Sequence, residues 1–82
     1  MSRERLQVRY FYHKAERRTT RFLEVFALDR GVYEVTLRDV RHYNRTETSI
    51  LSWKFDSEQL ALANAVSIAD RLFEAGYKEM RR

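Results

Sequence analysis

The apolar residues of this chain change their period once, near Asp56, and that change restricts the folds open to it. Upstream, apolar and polar side chains alternate with the period of two that a strand requires. Downstream, "SEQLALANAVSIADRLFEAGY" carries Leu62, Ala65, Val66, Ala69, Leu72 and Phe73, flanked by Ala61 and Ile68, on one side of a helical wheel. Asn64, Ser67, Asp70, Arg71 and Glu74 fall opposite. The pattern predicts strands followed by one helix over about 57–75. Asp56 or Ser57 can cap its start, and Glu58 in the first turn suits the helix dipole. Gly76 stands where a left-handed residue ends a helix, with Tyr77 folding back toward Leu72.

Four alternating runs precede the helix, at about 5–13, 20–28, 32–42 and 47–55. Between the second and third, "DRG" lets Gly31 take a positive φ in a tight reversal. Short turns between consecutive strands favour an antiparallel meander. The expected class is α+β: a single domain over residues 1–82, a four-stranded antiparallel meander sheet with one C-terminal helix packed on one face. Val8, Tyr10, Tyr12, Leu23, Val25, Tyr33, Val35, Leu37, Leu51, Trp53 and Phe55 are expected to meet that helix. Arg9, Phe11, His13, Phe22, Glu24, Phe26, Thr36, Arg38, Ile50 and Lys54 are left on the uncovered face.

An uncovered face should be polar, yet this one holds Phe11, Phe22, Phe26 and Ile50. Three explanations stand side by side. These four residues are an interface, for a second copy or another protein. Alternatively, rings interleaved with arginine stack on single-stranded nucleic acid. Or a one-residue slip inverts a strand and hides some of them.

Charge points the same way without deciding the matter. The net charge is +4, and thirteen of the sixteen basic residues are arginine, the three lysines being Lys14, Lys54 and Lys78. Arginine's planar fork suits phosphate and carboxylate. Lys14, Arg17, Arg18 and Arg21 crowd the first connection, and Arg41, His42 and Arg45 the third, which a meander brings to one end. Lys14, Arg17, Arg18, Arg21, Arg41 and Arg45 are therefore candidate nucleic-acid contacts, for DNA or RNA. A solvated loop with local salt bridges is the plain alternative. Arg3, Arg5, Arg81 and Arg82 read as frayed termini.

Chemistry for catalysis is missing from the pattern. No Gly-rich phosphate loop, no nucleophile beside a base and no paired carboxylates occur, so no enzyme is expected. There is no cysteine, and His13 and His42 lack companions at metal-ligand spacing, so neither metal nor cofactor is expected. Asp39 is read as pairing with Arg41 or capping a turn, and Trp53 as core. Without cysteines, a signal-peptide-like start or a long apolar run, the expectation is a cytoplasmic protein away from membranes.

"RFLEV" at 21–25, Phe55 before "DSEQ", and "EAGY" at 74–77 sit in the order and spacing of a known domain type. Over nearly its whole length the chain resembles the WGR domain family, a small antiparallel sheet followed by one helix. The Trp-Gly-Arg tripeptide itself is absent, and "LRDVR" at 37–41 stands in its place. In poly(ADP-ribose) polymerases the family contacts DNA and neighbouring domains, so the resemblance implies DNA association. The roles of the motif tryptophan and arginine pass to no residue here. The sequence thus points to a small non-enzymatic binding module, nucleic-acid-associated through the basic loop end. The alternative is a protein-interaction or homodimerisation module using the aromatic sheet face.

Overall fold

The computed structural model describes residues 3–42 and 47–80, and only the backbone of Arg17, Thr48 and Ser49. Strands β1 (Glu4–His13), β2 (Glu16–Ala27), β3 (Tyr33–Arg41) and β4 (Glu47–Phe55) form the expected meander. Helix α1 (Glu58–Glu74) follows, and a further strand, β5 (Tyr77–Met80), comes after it. The antiparallel sheet therefore has five strands and not four, in the order β4-β3-β2-β1-β5. The fifth strand exists because Gly76, at φ +97°, turns the chain back on itself. "YKEM" then alternates half-buried and exposed beside Tyr10–His13 of β1.

The helix begins and ends where its local chemistry dictates. Ser57 caps it, its hydroxyl accepting from the Leu60 amide at 3.4 Å. The amides of Ala75 and Gly76 close the other end on the carbonyls of Arg71 and Phe73, each at 3.0 Å. Ala61, Ala65, Ala69 and Leu72 form the buried stripe, and the three alanines let the helix lie close to the sheet. Opposite them lie Phe11, Leu23, Val25 and Val35. Val66, expected inward, is 54% exposed: it sits one flank too far round the wheel from the alanine stripe.

In three strands the inward alternation is as expected, and in β1 it is inverted. Arg5 pairs with Phe26 and Gln7 with Val25, so Leu6 is an extra residue in the ladder. One extra residue exchanges the faces of everything after it. Phe11 consequently lies fully buried under the helix, in edge-on contact with Phe73, and is not on the uncovered face. Tyr10 and Tyr12 take the uncovered face instead, with Tyr10 edge-on to Phe22. The physical preference is plain: Phe has no polar atom to satisfy, whereas a tyrosine hydroxyl is better near water. A second correction concerns β4. The helix covers the middle of the sheet and leaves its rim, so Leu51 and Trp53 are 51% and 37% exposed and not core.

His13 fastens the first hairpin to the helix end. Its Nδ1 accepts from the Ala15 amide at 3.0 Å, and its Nε2 lies 3.2 Å from the Ala75 carbonyl. A carbonyl only accepts, so the ring is the neutral tautomer with its proton on Nε2. A Cβ at Gly76 would meet that Nε2 at 3.0 Å, whereas one at Gly31 would meet nothing within 4 Å. Both glycines have positive φ. Gly31→Ala should therefore lose only the backbone term, about 1 kcal/mol. Gly76→Ala should lose about 2 kcal/mol, because the imidazole must also move. Urea unfolding of the two variants checks the difference.

Candidate functional site: the uncovered face and the basic end

The uncovered face is less apolar than the chain's alternation suggests, because arginines roof its rings. The Arg3 guanidinium stands 3.7 Å from the centre of Phe26, and that of Arg38 4.6 Å from Phe22. Between them Glu24 is almost completely buried, accepting from Arg5 at 3.2 Å and Arg38 at 2.8 Å. Arg38 also reaches Glu47 at 2.7 Å, and Arg3 lies 3.6 Å from Glu34. Burial alone would lower the Arg38 pKa, but hydrogen bonds to Glu24 and Glu47 carry it above its usual value. The result is a depression of about 550 Å³ whose floor and walls carry both signs of charge. Arg3 and Arg5 are structural members of this lattice, not frayed ends.

Of the four expected interface residues, Phe11 is core. Phe22, Phe26 and Ile50 do share the uncovered face, Phe22 and Ile50 lying on either side of Arg38 in one cross-strand row. Phe26 is only 8% exposed beneath Arg3, while Ile50 is 57% exposed. Tyr10 and Met80 extend that row onto β1 and β5.

The other candidate lies at one end of the sheet. Thr19 pairs with Arg41, and the His42 amide donates to the Arg18 carbonyl at 2.8 Å, so the first and third connections do meet there. Lys14, Arg18 and Arg41 are exposed at this end. Arg21 is not: it turns to the helix side, bonds Asp39 at 2.9 Å and lies 4.7 Å over the Tyr77 ring. Asp39 thus pairs across the ladder with Arg21. The side chains of Arg17 and Arg45 lie outside the described residues. Arg71, in the last helical turn, and Lys78, in β5, are exposed at the same end and were missed as candidates. The four residues of "YKEM" are too few to show a strand by their period, so no local pattern signals Lys78.

The described histidines are occupied elsewhere. His13 holds the turn, and His42 Nε2 bonds the Thr20 hydroxyl. Among the described residues no group of three His, Asp or Glu side chains is placed to hold a metal ion, and no helix is long and apolar enough to cross a membrane. No family model, no curated protein and no solved structure matches the chain.

Proposed function

We propose that the chain is a non-enzymatic binding module that holds nucleic acid by its phosphates, through the basic end of the sheet. The observation that carries this reading is the excess of exposed basic side chains at one end of the sheet over the other. Arg3, Arg5, Arg9, Arg21 and Arg38 are each held by a carboxylate of the same chain. Lys14, Arg18, Arg41, Arg71 and Lys78 are exposed together at the end where the first and third connections meet, against Arg30 and Lys54 at the other. Base stacking on the sheet is the weaker variant, since Phe11 is buried and Phe22 and Phe26 lie under guanidinium groups. The resemblance to WGR domains agrees with DNA as the polyanion.

Fluorescence polarisation of labelled duplexes across a salt series tests the proposal. Each lost phosphate contact removes about 0.9 from the slope of log affinity against log salt. The combined variant Lys14→Ala, Arg18→Ala, Arg41→Ala should therefore flatten the slope by about 3 and weaken low-salt binding at least tenfold. Unchanged affinity, or wild-type binding indifferent to salt, would overturn it. The exposed Ile50 and Met80, at the two ends of the row that includes half-buried Tyr10, favour a second reading, contact with another polypeptide.

A further inference from the structure

The sheet has two edges, and they are built differently. β4 forms one of them over nine residues, with Ile50, Leu51 and Trp53 exposed by 57%, 51% and 37%. Apart from a bulge near its start, the stretch between Glu47 and Lys54 has no charged residue and no proline, two of the usual protections of a free edge. An edge strand presents a row of backbone donors and acceptors to any strand that can align with it.

The ladder with β3 shows which strand fits. Asp39 pairs with Ser49 but Val40 pairs with Glu47, so Thr48 is a bulge and Glu47 takes the position next to Ser49. Counted along the ladder, Glu47, Ser49, Ile50, Leu51, Ser52, Trp53 and Lys54 are seven successive positions centred on Leu51.

We propose that β4 pairs antiparallel with β4 of a second copy of this chain, about a two-fold axis through Leu51. The axis stands perpendicular to the sheet, so inward and outward faces match across the join. Leu51 stands opposite its own copy, Ile50 opposite Ser52 and Glu47 opposite Lys54, the last two pairings occurring twice. Opposite charges thus close both ends of the pairing. Glu47 is already held in place there by Arg38 at 2.7 Å. Moving the axis to Ser52 would set Glu47 against Asp56, a repulsive pair, so charge favours the Leu51 register over that one. The exposed Leu51 and Trp53 side chains of both copies become a shared apolar strip between the two helices.

The chain has no cysteine, which makes the test clean. Residues directly opposite in an antiparallel pair have Cα atoms about 4.5–5.5 Å apart, within the span of a disulfide. Leu51→Cys should oxidise to a cross-linked pair at least about tenfold faster than Val66→Cys, whose thiol would sit on the outer helix surface. In sedimentation equilibrium the wild type should show the mass of two chains. Lys54→Glu should weaken association about tenfold, and adding Glu47→Lys should restore it. A single-chain mass up to roughly millimolar concentration would overturn the proposal. So would equal oxidation rates for the two thiol variants, or association indifferent to Lys54→Glu.

Discussion

Phe11→Ala should destabilise the domain by about 3–5 kcal/mol, the range for deleting a fully buried phenylalanine. The ring is 0% exposed, packed against the alanine stripe and edge-on to Phe73. An 82-residue domain has a total stability of about 5–10 kcal/mol, so the variant should be close to unfolded at body temperature. Tyr10→Ala, one residue earlier on the uncovered face and half-buried, should lose less, about 1–2 kcal/mol, its edge-on contact with Phe22 being part of that loss. Guanidinium unfolding of both variants distinguishes the two faces of β1. A larger loss at Tyr10 than at Phe11 would mean that the Leu6 bulge does not set the register.

Arg38→Ala should cost about 2–3 kcal/mol, more than a surface ion pair is worth. The reason is its partner. Glu24 is 3% exposed and would keep only Arg5, whose side chain is half in solvent. A buried carboxylate short of hydrogen bonds carries most of that loss. Phe22 would also lose the guanidinium above it. If the cost arises from the stranded carboxylate, Glu24→Met in the Arg38→Ala background should recover most of it. A double-mutant cycle by urea unfolding measures this, and strict additivity of the two changes would rule the account out.

Period alone made much of the architecture legible. The helix, its Ser57 cap, its Gly76 ending and the inward faces of β2 and β3 follow from local patterns. What stayed hidden was non-local. A bulge leaves no periodic trace in "ERLQVRYFYH", since Leu6, Val8 and Tyr10 alternate as well as Gln7, Arg9 and Phe11 are placed. Only the ladder with β2 decides between them. Four-residue β5 is too short for a period and depends on the position of β1. The candidate site divided in the same manner. That two connections meet at one end follows from a meander, but Arg21 turning to Asp39 and Tyr77 depends on a strand that local reading does not find. The roofing of Phe22 and Phe26 is likewise a tertiary arrangement, which makes residues that look sticky in sequence partly satisfied within the fold.

The irregularity at Leu6 has a second effect, on stoichiometry. The rim opposite β4 is interrupted by that kink, carries Glu4, Arg5 and Arg9 along its length, and is shielded farther on by short β5 with Lys78 and Glu79. Joining two chains through their β4 rims leaves only such guarded rims outermost. Growth of the proposed assembly would then stop at a closed pair, without the open-ended filament that an unprotected second rim would invite.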